Sequence, residues 1–390
     1  MQFKHLSLLA LASYVAAQEN NQTVQDLNAT LTGQENLSNL TTFLSADPQL
    51  LATLSNATNI TILAPSNDAF NKLAESPAFQ ELAGDPAAVA ALLTYHVLNG
   101  TIPASAITNT STFVPTLLTD EKFTNVTGGQ VVEALVVGNE TVFYSGLLQN
   151  ATVSQADVNF TGGVIHIIDS VLTLPLDLLD TANAANLTAV RGAINATDLI
   201  DVVNYTPDVT IFAPTNEAFQ SIGSAFENAT DILGSVLAYH LINGTVGYSN
   251  TLENGTSLQT ANGANLTITI DGNGTVFVNS ARVVVPNVLI ANGVVHIIDE
   301  VLNPNNTNTP EPSATEGVPA FSGTPVSEVP FISGQPTPTT QINPTGEGPG
   351  PASTNAGETS SSTGAAMPMK TGAVGAAALF GAVGAVMAGM

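Results

Sequence analysis

The spacing of apolar residues changes once in each half of the chain, from a helical interval to short β-branched runs. The first half opens on a helical stripe that leads into Pro48, formed by Leu27, Leu31, Leu37, Leu40, Phe43 and Leu44. The second half opens on a similar stripe, formed by Leu187, Val190, Ile194 and Leu199. From about residue 112 to 172, and again from 257 to 302, Gly and Asn separate short β-branched runs. This pattern predicts two α+β units, each with its helices first and its sheet second.

One ten-residue segment occurs twice and predicts a strand that stops and turns into a helix. Residues 61–70 read TILAPSNDAF, and residues 210–219 read TIFAPTNEAF. The apolar start favours a strand, and the proline cannot donate a hydrogen bond to a sheet ladder. Ser66 and Thr215 then stand where a helix N-cap is wanted. Each copy therefore predicts a strand, a stop and a capped helix.

A second helix in each half is predicted to end at a Tyr–His pair. Pro86 opens the first of these helices, which is expected to end at Asn99-Gly100, and its counterpart is expected over about 230 to 242. The pairs themselves are Tyr95 with His96 and Tyr239 with His240. In the sheet region, residues 271–274 read DGNG between two β-branched runs, which indicates a hairpin and lacks the ligands of a calcium loop.

Three matched segments, in the same order in both halves, identify a tandem repeat. Besides 61–70 with 210–219, residues 95–101 match 239–245, and residues 163–169 match 293–299. The set resembles the fasciclin domain, in which similar blocks flank a Tyr–His pair. The resemblance covers residues 22–303 and places one domain at 22–173 and a second at 176–303. It implies an α+β fold in which each domain is a wedge of two β-sheets with helices packed along one side.

The first 17 residues have the pattern of a secretory signal peptide. Lys4 and His5 precede an apolar run that ends in small residues, so cleavage is expected after Ala17. The run is shorter than the roughly 20 apolar residues that a membrane-spanning helix needs.

The last residues, 355–390, have the pattern of a glycolipid (GPI) attachment signal. The tail from 371 onward is apolar and uncharged, and it follows small residues and a polar spacer. Asn355 is the preferred attachment residue, with Ser360, Ser361 and Gly364 as alternatives. A single weakly apolar membrane helix is the competing interpretation of this tail.

Residues 304–354 are dominated by Pro, Thr, Ser, Gly and Asn. Such a composition has few large apolar side chains with which to offset chain entropy. We therefore expect a disordered, extended stalk that holds the domains away from the membrane.

Composition and sequons point to an extracellular glycoprotein. The chain has no cysteine, so each domain depends on its apolar core alone. About twenty Asn-x-Ser/Thr sequons predict heavy N-glycosylation. The representative acceptors are Asn56, Asn99, Asn139, Asn186, Asn243 and Asn273. A net charge of −25 disfavours nucleic acid and anionic lipid as partners.

No residue pattern in the sequence supports catalysis, a cofactor or a metal. His166 and Asp169 stand three residues apart on a predicted strand, as do His296 and Asp299, so alternation sends each pair to opposite faces. The motifs of hydrolases, metalloproteases and nucleotide-binding loops are missing from the sequence. His166 is expected to be a core histidine bonded to a neighbouring loop rather than a ligand.

The resemblance implies candidate contact residues for adhesion. In fasciclin domains of animal matrix proteins, the Tyr–His region and an Asp–Ile pair are associated with integrin-mediated adhesion. The corresponding residues here are Tyr95, His96, Asp157, Val158, Tyr239 and His240. The second repeat has Asn287-Val288 where the acidic pair would be, which weakens the carry-over there. A structural role for the Tyr–His pairs, at a helix end packed on the sheet, is favoured over direct contact.

These observations lead to three functional hypotheses. The first is a GPI-anchored surface glycoprotein of a walled, fungal cell that acts in adhesion or wall organisation, with glycans or proteins as partners and a homodimer as an open question. The second is a module that binds a small apolar ligand, a lipid or a pigment, between helices and sheet. The third, an enzyme acting on wall polymers, has no residues to support it.

Overall fold

The computed structural model describes residues 24–197, 199–226, 230–311 and 314–338. They fold into two domains of the same topology, followed by a segment without regular secondary structure. We call residues 24–173 domain 1, residues 176–303 domain 2 and residues 314–338 the strap.

Domain 1 has six helices and a sheet of seven strands. The helices are α1 (Leu27–Thr32), α2 (Ser38–Ala46), α3 (Pro48–Asn56), α4 (Asn67–Ala74), α5 (Pro77–Gly84) and α6 (Pro86–Tyr95). The strands are β1 (Ile60–Pro65), β2 (Val97–Asn99), β3 (Thr112–Pro115), β4 (Val131–Val137), β5 (Glu140–Tyr144), β6 (Asn150–Phe160) and β7 (Gly163–Ile168). Their order is β2-β1-β7-β6-β5-β4-β3, with β1 parallel to β7.

Domain 2 repeats this arrangement with five helices among its described residues. The helices are α7 (Leu178–Ala184), α8 (Thr188–Ala196), α9 (Ile200–Tyr205), α10 (Asn216–Ser221) and α11 (Thr230–Tyr239). The strands are β8 (Val209–Pro214), β9 (Leu241–Ile242), β10 (Ser257–Gln259), β11 (Asn265–Ile270), β12 (Val276–Val278), β13 (Ala281–Ile290) and β14 (Gly293–Ile298). Their order is β10-β11-β12-β13-β14-β8-β9. The hairpin predicted around residues 271–274 is confirmed by the antiparallel pairing of β11 with β12.

The long strand β6 divides the sheet of domain 1 into the two halves of a wedge. Its first residues pair with β5, and the rest, from Val153 to Phe160, pair with β7 across a register shift. A shift of this kind bends the strand and increases its twist. The predicted α+β fold of two wedges with packed helices is confirmed.

The repeated segment that begins each wedge is buried on both of its faces. In β1, Ile60, Ile62 and Ala64 belong to the core beneath the helices, whereas Leu63 belongs to the core inside the wedge. This double burial explains why the strand reads as a continuous apolar run rather than an alternating one. Ser66 then caps α4 by accepting a hydrogen bond from the Ala69 amide at 3.2 Å, and Thr215 caps α10 in the same way, as predicted.

The helices that carry the Tyr–His pairs end earlier than predicted. α6 stops at Tyr95, and Val97–Asn99 form the edge strand β2, which pairs antiparallel with β1. α11 stops at Tyr239 and is likewise followed by β9, paired with β8. A short apolar run fits a helix and a strand equally well from sequence. Residues 97–99 form a strand because they pair with the otherwise unpaired edge of β1.

The predicted disordered stalk is wrong for the strap. Val326 donates its amide to the Gln220 carbonyl at 3.0 Å, and the Val318 amide donates to the Ser280 carbonyl at 2.9 Å. Arg191 donates through Nη1 to the Gln335 side chain at 2.9 Å. The rest of the predicted stalk comprises residues 304–313 and 339–354, of which the structure describes only 304–311.

Aromatic side chains hold the strap on the helices of domain 2. The Phe331 ring packs edge-on against Phe219 at 6.0 Å, and Phe226 lies 5.4 Å from Phe321. Gly192 in α8 permits this contact, because a Cβ there would lie 1.8 Å from the Phe331 carbonyl oxygen. Composition averaged over the segment hides these few anchors, which explains the wrong prediction.

Candidate functional site

The Tyr–His pairs, predicted as adhesion candidates, lie inside the two domains. Tyr95 and Tyr239 are fully buried, and His96 and His240 are only 4% and 3% exposed. The Tyr95 hydroxyl donates to the Val131 carbonyl at 2.9 Å, which joins the end of α6 to β4. The Tyr239 hydroxyl donates to the Asn265 carbonyl at 2.8 Å. As direct contact residues these four predictions are wrong, because their side chains are committed to the core.

Each histidine of these pairs bridges a helix end to the segment after the last strand. His96 Nδ1 lies 2.7 Å from the Leu92 carbonyl, and its Nε2 accepts the Leu172 amide at 2.9 Å. Since Nε2 accepts, Nδ1 carries the proton and donates, and the ring is neutral. His240 repeats both bonds, with the Val236 carbonyl and the Leu302 amide. Burial lowers the pKa of both imidazoles to about 4, against a smaller upward effect of the bonded carbonyl.

The histidines of the last strands, His166 and His296, are bonded in the core as predicted for His166. His166 Nε2 donates to the Ile102 carbonyl at 2.8 Å, and its Nδ1 accepts the Asp157 amide at 3.2 Å. His296 forms the same two bonds, with the Gly247 carbonyl and the Asn287 amide. Burial lowers the pKa of His296 to about 4. Across the described residues, no group of three or more His, Asp or Glu side chains is arranged to hold a metal ion.

The Asp157–Val158 pair is placed differently from the Tyr–His pairs. Asp157 is exposed, has a φ of 57° at the irregular part of β6, and accepts the Ala104 amide at 2.9 Å. Val158 is half-buried against the core beneath the helices. Of the six adhesion candidates, Asp157 is the one whose side chain is exposed, with one carboxylate oxygen bonded to the Ala104 amide. Its counterpart Asn287 is completely buried between the domains.

A buried carboxyl group that sequence reasoning missed lies at the junction of the domains. Glu133 in β4 is completely buried, and its Oε1 accepts the Asn287 side-chain amide at 3.2 Å. Burial raises its pKa to about 7, partly offset by hydrogen bonds from Ser111 and Asn287. The available signal was an acid in the middle of the apolar strand VVEALVV, where a charged side chain needs a special partner.

Further contacts make the two domains one packed unit. Asp208 accepts both the amide and the hydroxyl of Thr127, at 2.7 and 2.5 Å. The rings of Phe113 and Tyr248 stack with their centroids 4.1 Å apart. Leu147 and Leu148 of domain 1 pack against the core of domain 2.

The predicted glycan acceptors are all accessible, and the terminal signals are outside the described residues. Asn56, Asn99, Asn139, Asn186, Asn243 and Asn273 have exposed side chains. Exposure permits glycosylation, so their occupancy stays a prediction. The signal peptide at 1–17 and the attachment candidates Asn355, Ser360, Ser361 and Gly364 are not among the described residues. In the part of the chain that is described, no helix is long and apolar enough to cross a membrane.

Comparison with known proteins gives consistent matches. The family model for the fasciclin domain matches residues 35–175 and 185–304. A fasciclin-like arabinogalactan protein of Arthroderma benhamiae is 37% identical over 327 residues, which cover 83% of this chain and 76% of that protein. The fasciclin-like arabinogalactan protein elcF of Phaeosphaeria nodorum is 30% identical over 65% of this chain and 80% of its own length. Human periostin is 33% identical over 153 residues, which cover 37% of this chain and 18% of periostin.

Proposed function

This chain belongs to the fasciclin family, and from that membership we propose that it is a GPI-anchored, N-glycosylated surface protein acting in adhesion or in cell-wall organisation. Its relatives are secreted or cell-surface proteins of adhesion or structure. One relative that covers 83% of this chain is called a fasciclin-like arabinogalactan protein, and the match spans both domains. Wall or matrix glycans and proteins are the proposed partners, and a homodimer is an open alternative for the assembly.

The proposal rests on where the polar side chains lie: the repeated histidines are hydrogen-bonded in the interior, and the glycosylation sequons are on the surface. All four repeated histidines spend both ring nitrogens on hydrogen bonds inside the fold. A neutral imidazole bonded on both sides has no atom left for proton transfer or metal binding. The outer surface carries the exposed sequons instead. An interior whose histidines are all hydrogen-bonded and a surface that carries glycosylation sequons fit a cell-surface protein better than an enzyme.

The adhesive contact that we propose is centred on Asp157 in domain 1. It keeps an exposed carboxylate at the matched position of the family pattern, whereas the Tyr–His pairs are buried. Domain 2 has Asn287 there, turned into the interface. We therefore assign direct contact to domain 1 and a supporting role to domain 2.

Release by phosphatidylinositol phospholipase C tests the anchor. Intact cells treated with the enzyme should lose the protein into the medium, and cells expressing a chain truncated after residue 354 should secrete it without treatment. Mass spectrometry of the mature protein should find its C-terminus at Asn355 or at one of the three alternatives. A mature C-terminal peptide that contains Met390 would show that the tail is retained, as a membrane helix requires.

A second candidate function is the binding of a small apolar ligand. The specific observation in its favour is an apolar cavity in domain 2, between helices and sheet. Natively purified protein that carries a stoichiometric apolar compound, detected by extraction and mass spectrometry, would support it.

A further inference from the structure

Domain 2 contains a partly enclosed cavity of about 270 Å³. It lies between α8, α9 and α11 on one side and β8 on the other, and aliphatic side chains such as Ile211 and Leu237 line most of it. Val202, which is 41% exposed, and the exposed Asn243 and Ala261 are the lining residues nearest solvent, so they form the mouth of the cavity. The cavity therefore has an apolar interior and an opening to the surface.

Two small side chains distinguish this place from its counterpart in domain 1. The Ala261 amide donates to the Leu241 carbonyl at 2.7 Å, and the Leu117 amide donates to the Val97 carbonyl at 2.8 Å. This shared bond identifies Ala261 and Leu117 as equivalent positions. Leu117 packs against the helix-side core of domain 1, whereas Ala261 lines the cavity.

Ala238 is the second small residue. It precedes Tyr239 as Thr94 precedes Tyr95, so the two positions are equivalent. Together the two alanines leave unfilled space where domain 1 has a leucine and a threonine. The apolar lining is therefore left uncovered, and burying it against an apolar molecule would be favourable.

The residues that line the cavity also determine whether it can bind a charged molecule. Among the described residues that line the cavity, none is Asp, Glu, Lys or Arg. His240 is part of the lining, but both of its ring nitrogens are bonded to backbone and the ring is neutral. A charged ligand would lose its hydration here without gaining a partner.

The volume limits the size of the occupant. An apolar protein cavity of roughly 150 Å³ is known to stay dry and to accept benzene. A cavity of about 270 Å³ has room for an uncharged molecule of two to three small rings or a short aliphatic chain.

We propose that this cavity is a binding site for one small, uncharged apolar molecule. The proposal rests on the second candidate function and locates its site at Ala238 and Ala261. In domain 1 Leu117 stands in the place of Ala261, so we expect one molecule to bind per chain.

Titration with the neutral fluorophore N-phenyl-1-naphthylamine tests the site in the full described chain, residues 24–338. Saturable fluorescence enhancement with one site per chain is expected. Ala261→Leu introduces the side chain of domain 1 at the exposed mouth of the cavity and narrows it, so the dissociation constant should rise at least about tenfold. Its melting temperature should be equal or higher, which shows that the loss is not unfolding. The matched control Ala52→Leu adds the same atoms at an exposed position of α3 and should bind like the wild type.

Three results would overturn the proposal or separate it from the function on which it rests. Absence of saturable binding by the wild-type chain would overturn the site, as would equal affinity in Ala261→Leu. Natively purified Ala261→Leu that still carries a stoichiometric apolar compound would preserve the carrier function while placing its site elsewhere.

Discussion

The repeated histidines act in this fold as hydrogen-bonding clamps. The sequence places His96 in the last turn of a helix, where the carbonyl ends favour a protonated ring, and burial opposes this effect. In the structure the effect of burial is the larger of the two, since it lowers the pKa of His96 to about 4. The ring is neutral and holds the Leu92 carbonyl and the Leu172 amide together.

We predict that His96→Ala lowers the stability of domain 1 without changing attachment per folded molecule. The substitution leaves the buried Leu172 amide without its acceptor, at a cost of about 1–3 kcal/mol, whereas the Leu92 carbonyl keeps the backbone amide of residue 96 as a donor. His240→Ala should do the same in domain 2. Asp157→Asn is the matched comparison, because asparagine keeps an acceptor for the Ala104 amide and tolerates the positive φ, so it should reduce cell attachment and leave the melting temperature nearly unchanged. Loss of attachment in His96→Ala at an unaltered melting temperature would contradict the structural role.

The pH dependence of the His96→Ala effect follows from the lowered pKa. The unfolded chain binds a proton near pH 6.5, and the folded chain does so only near pH 4. The wild type therefore has the full contribution of His96 above pH 6.5 and loses it as the pH falls toward 4, by about 3 kcal/mol. Urea unfolding at pH 7.5 and 4.5 should give a smaller difference between wild type and His96→Ala at the lower pH.

At the scale of elements, the strap covers an aromatic side chain in domain 2 that the equivalent of α2 leaves uncovered. In domain 1 the Phe43 ring of α2 stacks on Phe70 at 5.1 Å. The Asn67 and Asn216 side chains accept the Asn39 and Ala189 amides, which aligns α2 with α8. Ala193 then stands in the place of Phe43, and the strap supplies Phe331 to cover Phe219 instead.

We predict that domain 2 needs the strap for full stability. Residues 176–338 should melt at a higher temperature than residues 176–303, whose Phe219 and Phe226 rings would be uncovered. Within the longer chain, Phe331→Ala should cost about 2–3 kcal/mol, which is at or below the lower end of the range for a fully buried ring because Phe331 is only partly buried. Val318→Ala, at an exposed strap position, is the control and should have little effect. Equal melting temperatures for the two fragments would contradict this role.

At the scale of the whole molecule, the interface makes domain 1 sensitive to domain 2. Glu133 belongs to a strand of domain 1, yet Asn287 of domain 2 is one of its hydrogen-bond partners. A carboxyl group in this position is favoured in its neutral form, since burial penalises the charge. Its folded pKa of about 7 lies above the ordinary value of 4.5.

We predict that Glu133→Gln stabilises the domain pair at pH 8 relative to pH 5. Between pH 4.5 and 7 the unfolded wild type releases a proton that the folded protein keeps, so wild-type stability falls as the pH rises, by about 3 kcal/mol. Glutamine has no such dependence. Urea unfolding should show that the free energy of unfolding of Glu133→Gln rises relative to that of the wild type from pH 5 to pH 8. The exposed control Glu140→Gln should show no such trend. A pH-independent difference would place the Glu133 pKa near its ordinary value.

The sequence by itself determined the repeat, the α+β order and the position of the capped helix in each half. These features depend on local periodicity, on proline and on N-cap chemistry, which act within a few residues. It also predicted a structural role for the Tyr–His pairs and a bonded core position for His166. Glu133 was visible as an acid in an apolar strand, but its partner was not.

Tertiary structure alone decided which residues meet across long separations. Val97–Asn99 became a strand because β1 offered an unpaired edge, and the strap became ordered because Gly192 leaves room for Phe331. The burial of Asn287 against Glu133 and the cavity beside Ala261 depend on packing between segments far apart in sequence. Composition and local periodicity carry no record of such contacts, since they arise only when two surfaces of complementary shape come together.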